Sequence, residues 1–593
     1  MKKEYLIKIL RELIEEPGLS QRELAEKSGL SLGTVNRSIQ YARSRGYLQE
    51  LDPRLPRVTP GGLEYMEPAR VKNAIILAAG FGSRCVPLTY ETPKGLLAVK
   101  GTPMLERQIE QLLDKGIRDI TIVVGYMKES FDYLIDRYGV SLIYNPDYAV
   151  MNNYASLYHA AHLLDNSYVL VADNWMEENI FNAYEGESWY SCLYFAGETH
   201  EWCVRTQASG RIRRIEIGGA DSLALVGPAY FSREFSEVFR GLLRDYYGQA
   251  RASDFYWEHL LKENLNLLPI YCNEQTGNVH EFENLEELRA YDDSYRTDTR
   301  NRIMAYIARQ YQVPEGEIHG IKPMKEGLTN QSFKFSIRGE DYVFRLPGEG
   351  TEQLINRAHE KASYDLLSPY DLTDEVISFD AESGNRITRY YAGARVADPF
   401  NNRDLKASMD LVRKVHDLKL QVDYRFDIRE MIDYYEGLVR GIGAMHFRDF
   451  PEVREKAVGL LDLRDRLAVP EVLCHGDYLY ANVLFLESGE VRLIDWEYSG
   501  MADPFMDVAM YAIFSEFDRE RIDLALRFYL DREPLDEEWL RLYLYVALGG
   551  FLWSMWGAFK QGLGLELGDY PRIMYRYMKD YYKLVEELEP GLS

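Results

Sequence analysis

Cysteine is scarce in this 593-residue chain: Cys85, Cys192, Cys203, Cys272 and Cys474 are scattered, odd in number and never spaced as CxxC. That argues against a disulfide framework or a zinc cluster and fits reduced thiols in a cytoplasmic protein. No run of about eighteen apolar residues stands out, so no membrane-spanning helix is expected. The first helix, MKKEYLIKILRELIEE, carries Lys8, Arg11 and Glu12 inside its apolar stripe, so it reads as amphipathic and not as a signal peptide. Excess positive charge is missing too. A net charge of −25 speaks against a chain devoted to nucleic acid or to anionic membrane, while leaving room for one basic module. What remains is a globular composition, 46% hydrophobic and 27% charged, in a chain too long for one domain. Tyrosine is abundant at 45 copies, a residue suited to semi-polar pockets as well as to cores.

Residues 1–70 predict short helices followed by a hairpin. LSQRELAEKSGLSLGTVNRSIQYARSRGYLQE supplies a helix from Gln21 to Lys27, a turn at Ser28–Gly29 and a second helix starting near Ser31. Leu24, Ala25, Leu30, Val35 and Ile39 would pack the pair, with Ser31, Gly33, Thr34, Asn36, Arg37 and Arg43 facing outward. YLQELDPRLPRVTPGGLEYM reads as a wing. The segment resembles winged helix-turn-helix DNA-binding domains, which makes Ser31, Thr34, Asn36 and Arg37 the expected DNA contacts. It holds 12 Lys/Arg against 10 Asp/Glu, a small excess for a module that must grip phosphates. A protein-interaction module of the same shape therefore stays open.

Residues 71–293 open with NAIILAAGFGSRCVPLTYETPKGLLAVKG. AIILAA is a short buried strand, and Gly80 and Gly82 follow at once, then Ser83 and Arg84, with Lys94 further on. Glycines at the end of a parallel strand let backbone N–H groups approach a phosphate. The combination resembles nucleotidyltransferases in a Rossmann-like mixed α/β sheet. The resemblance implies that Gly80, Gly82, Ser83 and Arg84 hold nucleotide phosphates and that Lys94 stabilises charge on the α-phosphate. It also implies a magnesium ligand at Asp173, where the strand of SYVLVADNW stops. Asp254 is the expected second carboxylate, with a helix N-cap as its alternative. NNYASLYHA and ETHEWCVRTQASGRIRRIEIGG resemble bacterial phosphocholine cytidylyltransferases. Trp202, Tyr256 and Trp257 would then wall a quaternary ammonium, against core packing as the competing account of each.

Residues 296–593 change pattern. IKPMKEGLTNQSFKFSIRGEDYVFRLPGEG reads as strand, loop, strand, turn and strand, with the turn Gly327–Asn330 placed to cover ATP phosphates. Arg345 sits on a strand, and Glu360 in the next helix is its expected ion-pair partner. LCHGDYLYANVLF…VRLIDWEYSG spaces Asp477, Asn482 and Asp495 as phosphoryl transfer needs: a base for the attacking hydroxyl and two ligands for Mg²⁺. His475 reads as a support for that loop. This segment resembles the choline kinase and aminoglycoside phosphotransferase superfamily, an α+β protein-kinase-like fold. FLWSMWGAF puts Trp553 and Trp556 on one helical face. With Tyr498, Glu497 and Tyr570 they match the aromatic substrate pocket of choline kinases.

The expectation is a bifunctional enzyme that takes choline, ATP and CTP through phosphocholine to CDP-choline, with Mg²⁺ as cofactor. The same chemistry on ethanolamine or another amino alcohol, and a metabolite-sensing transcription regulator, are the alternatives. A homo-oligomer is compatible with the sequence.

Overall fold

A computed structural model of the chain describes residues 1–50, 56–324, 330–348, 355–467, 469–565 and 567–590. The chain divides into two compact units, Met1–Pro323 and Met324–Ser593.

The first unit begins with three helices, α1 (Lys3–Glu15), α2 (Gln21–Ser28) and α3 (Leu32–Ser44). Ser20 starts α2 with a reciprocal cap: its hydroxyl accepts from the Glu23 N–H, and Glu23 Oε2 accepts from the Ser20 N–H at 2.7 Å. Gly29 ends α2 at φ +65, a left-handed turn that sends the chain into the Ser31 cap of α3. Leu6, Leu10, Leu24, Val35 and Ile39 form the shared core. The strands Leu48–Glu50 and Pro56–Val58 pair antiparallel, as a wing requires, while its tip at 51–55 lies outside the described residues.

A seven-stranded mixed sheet follows, in the order Tyr271–Glu274, Trp189–Thr206, Ile212–Phe231, Ser167–Val171, Asn73–Ala78, Ile120–Val124, Ser141–Tyr144. Its central strands, Asn73–Ala78 and Ile120–Val124, are parallel and buried on both faces, hence their largely apolar runs NAIILA and ITIVV. The helix Met104–Asp114 covers one face, and the helices Asn153–His159, Arg233–Tyr246 and Trp257–Glu263 cover the other. Residues 296–323, read from sequence as the start of the kinase segment, are counted with this unit. Arg302 pairs with Glu91 at 3.0 Å, and Asn301 Nδ2 donates to the same side chain at 2.9 Å.

The second unit places four antiparallel strands, ordered Asn330–Ile337, Glu340–Pro347, Arg386–Arg389, Val376–Phe379, beside the helix Arg357–Leu367. A helical portion follows, built around the helix Asp536–Gly562. By length and composition this helix could cross a membrane, with mean hydropathy 1.3 over an 18-residue window. However, 94% of that window is buried inside the protein, so it is the core helix of the unit.

Candidate active sites

In the first unit Leu77 lies opposite Val171 on neighbouring parallel strands, so the turns after both strands open at one sheet edge. A cavity of about 420 Å³ lies there, lined by Gly80, Gly82, Ser83, Arg84, Lys94, Asp173 and Tyr256 among others. Gly82 sits at φ +69, and a Cβ there would come within 3.0 Å of the Lys94 Cβ, so the loop needs glycine to run this close to the lysine. Lys94 Nζ donates to Asp173 Oδ2 at 2.5 Å. Burial alone would lower the lysine pKa, but the Asp173 carboxylate outweighs it and raises it, keeping the ammonium charged.

Sequence reasoning missed the second carboxylate of this cavity. Glu281 ends the short strand Val279–Glu281 directly opposite Asn174, the residue after Asp173, and lines the cavity. Burial, then the charge of Asp173, push its pKa up to about 8. Two carboxylates crowded together at this cavity fit a hard divalent cation. Glu283, two residues on, is ion-paired with Arg84. A three-residue strand offers no periodicity, so nothing in the sequence singled these acids out.

Asp254 does not join them. It is exposed and outside the cavity lining. It is not the helix cap either: the Tyr256 N–H donates to His259 Nδ1 at 3.0 Å and the Trp257 N–H to Asn153 Oδ1 at 2.9 Å. Of the three predicted rings, only Tyr256 faces the cavity. Trp257 is 2% exposed and stacks on Tyr190 with centroids 4.9 Å apart, which makes it core. Trp202 is half-buried outside the lining and meets His259 edge-on at 4.6 Å.

In the second unit Arg345 Nη1 donates to Glu360 Oε1 at 2.5 Å and to Asp495 Oδ1 at 2.8 Å, and its Nη2 donates to Glu497 Oε2 at 2.5 Å. Arg357 Nη1 reaches Glu360 Oε2 at 2.9 Å, and Arg386 Nη1 reaches Glu360 Oε1 at 2.6 Å. The expected Arg345–Glu360 pair is therefore the centre of a larger buried network. Asn330 Nδ2 donates to Glu497 Oε2 at 3.1 Å, while the rest of the predicted phosphate turn, 327–329, lies outside the described residues. Glu497 Oε2 is thus bound by arginines and an amide.

Asp477, Asn482 and Asp495 converge. Asn482 Nδ2 donates to the Asp477 carbonyl at 3.1 Å, which leaves its amide oxygen as the atom for a metal. Burial would raise the Asp495 pKa, but Arg345 and Arg386 hold it low and ionised. Burial, then Glu497 and Asp495, push the Asp477 carboxyl well up. This crowding of acids also fits a divalent cation. His475 Nδ1 accepts from the Asp477 N–H at 3.3 Å and its Nε2 donates to the Ile494 carbonyl at 2.9 Å, a support role.

Four rings run beside that carboxylate. Tyr498 meets Trp553 at 6.3 Å, Trp553 meets Trp556 at 5.8 Å, and Trp556 meets Tyr570 at 5.8 Å, with interplanar angles of 79°, 70° and 74°. Both end rings feel Asp477: burial, then Tyr435, Glu497 and Asp477 push the Tyr498 phenol up, and burial, then Asp477, push up that of Tyr570. Glu516, exposed and at φ +53 after the helix Phe505–Phe514, adds to the shift of Tyr570. Sequence reasoning did not consider this acid.

On α3, Asn36 and Arg37 are exposed and Thr34 is half-buried. Arg37 Nη2 donates to Thr34 Oγ1 at 3.3 Å, and the Ser31 hydroxyl is occupied in capping the helix.

Comparison with known proteins agrees with this geometry. The profile of a winged helix-turn-helix DNA-binding family matches residues 3–49, that of a MobA-like NTP transferase domain 74–173, and that of a phosphotransferase enzyme family 320–545. The class is therefore a two-headed transferase, nucleotidyl and phosphoryl, behind a winged helix. Such families take Mg²⁺ with their nucleotides. A choline-phosphate cytidylyltransferase of Streptococcus pneumoniae is 36% identical, covering 38% of this chain and 99% of the relative. The chain belongs to the choline-phosphate cytidylyltransferase family. A 2-aminoethylphosphonate cytidylyltransferase of Lancefieldella rimae is 35% identical, covering 38% of this chain and 94% of the relative. The solved choline kinase LicA of Streptococcus pneumoniae is 25% identical, covering 48% of this chain and 100% of that one, with a TM-score of 0.42.

Proposed function

We propose that the second unit phosphorylates choline with ATP and that the first transfers CMP from CTP to the resulting phosphocholine, giving CDP-choline. The observation that carries this reading is the line of four rings from Tyr498 to Tyr570 beside Asp477. A trimethylammonium offers no N–H donor, so ring faces and a nearby carboxylate suit it, each face contributing about 0.5–2 kcal/mol.

Asp477 orients the choline hydroxyl and receives its proton. Asn482 and Asp495 would hold a magnesium ion, which would supply charge neutralisation for the ATP phosphates. In the first unit Gly80, Gly82 and Ser83 cradle the CTP phosphates, and Lys94 steadies charge on the α-phosphate. Asp173 and Glu281 hold the second magnesium. The fold, the ATP and CTP demand and the five unpaired thiols support a cytoplasmic setting.

A second reading draws on the 2-aminoethylphosphonate relative: a primary ammonium has N–H donors and would reward carboxylates over rings. The deciding experiment is incubation with Mg²⁺, ATP, CTP and either choline or ethanolamine, with products followed by mass. CDP-choline as the dominant product supports the proposal; CDP-ethanolamine at equal or higher rate overturns it. The exposed face of α3 supports binding of duplex DNA. A gel-shift series on the upstream region at several salt concentrations tests this, and absence of sequence-dependent binding at low salt makes the winged helix an interaction module.

A further inference from the structure

Three buried arginines meet one buried glutamate in the second unit, and one of the three is redundant as the structure stands. Glu360 is 1% exposed. Arg345 Nη1 holds its Oε1 and Arg357 Nη1 its Oε2, so both carboxylate oxygens have a partner before Arg386 is counted. Arg386 Nη1 nevertheless donates to the same Oε1 at 2.6 Å. Its Nη2 lies 3.7 Å from Asp495 Oδ1, the atom that Arg345 also holds. We infer that Arg386 is a positioning residue for ATP: it keeps Glu360 paired while Arg345 turns to the nucleotide phosphates. The inference rests on the kinase reading above, in which Arg345 is the strand cation that meets ATP.

Each terminal guanidinium nitrogen carries two N–H groups. Both of those on Arg345 Nη1 are committed, to Glu360 and Asp495, and Nη2 is committed to Glu497. Its Nε is buried without a hydrogen-bond partner. The outward fork of Nη1 and Nη2 is thus filled by acids, and Arg345 binds a phosphate through it only by releasing a carboxylate. A buried acid that loses its partner is strongly destabilising. Arg386 is placed to prevent that at Glu360. It stands directly opposite Arg345 on the neighbouring antiparallel strand. Like charges in that register repel, so the acids that both arginines touch must hold the pair together. The Arg386 guanidinium is also pinned in place: it lies over the Tyr364 ring at 4.6 Å and the Phe379 ring at 5.8 Å. Arg386 is the stationary cation of the network, and Arg345 the one with a second destination.

The test is a double-mutant cycle in the full chain, with ATP binding followed by calorimetry in EDTA and with excess CTP to fill the first unit. Arg386→Met is expected to raise the Kd for ATP about tenfold, because Glu360 then keeps Arg345 for itself. Arg386→Lys, which retains a cation over the two rings, should raise it only about threefold. In a Glu360→Gln background, which removes the acid to be held, Arg386→Met should change the Kd by less than about twofold. Should the methionine variant fail to fold, the lysine variant carries the same cycle. An unchanged Kd in Arg386→Met overturns the inference. So does a loss that persists in full in the Glu360→Gln background, since Arg386 would then touch the nucleotide itself. A wild-type chain that binds ATP but phosphorylates no amino alcohol sinks the kinase reading instead, and the cycle still judges Arg386.

Discussion

The second unit lines up four rings, Tyr498, Trp553, Trp556 and Tyr570, two of them from one core helix, whereas the cavity of the first unit presents the ring of Tyr256 together with the carboxylates Glu281 and Glu283. Ring faces reward a head group without N–H donors, and carboxylates reward any cation. Discrimination between choline and ethanolamine should therefore be made at the phosphoryl-transfer step. The nucleotidyl-transfer step is expected to discriminate less.

The largest way to break this comparison is to silence one centre at a time. Asp477→Asn is expected to lower kinase turnover about 1,000-fold by removing the base, with cytidylyltransferase activity unchanged. A parallel loss in both activities would show that the centres are not independent. Lys94→Met should do the reverse, costing the cytidylyltransferase about 100-fold and sparing the kinase, read from pyrophosphate release. Trp556→Ala should raise KM for choline about tenfold, roughly one ring face, and change ethanolamine much less. Equal loss on both alcohols would remove the rings from recognition, and a comparable shift for phosphocholine in Tyr256→Ala would erase the contrast between the units.

The finest test is the pH dependence of the first centre. Glu281 has its pKa raised to about 8, so below that pH a proton competes with the metal for it. At subsaturating Mg²⁺ the cytidylyltransferase rate should climb as pH rises through about 8, and saturating Mg²⁺ should shift that rise to lower pH. A profile flat from pH 6 to 9 at low Mg²⁺ would take Glu281 out of the metal site.

Much of the architecture was legible because it is written in local signals. Ser20, Glu23, Gly29 and Ser31 mark the helix ends of the winged helix through their own caps. Asp477, Asn482 and Asp495 are separated by loop lengths that the chemistry itself demands. The acids were less readable. Asp254 has a promising neighbourhood in sequence but is turned to solvent, while Glu281 reaches the cavity only because its strand pairs beside Asp173. Glu497 follows Asp495 closely enough to suggest the substrate pocket, yet Arg345 and Arg357 bind it. The adjacent aromatics Tyr256 and Trp257 shared one prediction, but at a helix start they point different ways, one into the cavity and one into the core.

The sequence by itself determined the elements, their caps, the two catalytic motifs and hence the class of reaction in each half, because these depend on short-range spacing and on the residue types that phosphate chemistry requires. Which carboxylate faces a metal, which binds an arginine and which ring meets a substrate was decided only by the tertiary structure. Burial and the charges of distant neighbours act across space, through strand register and helix packing, and no separation along the chain encodes them.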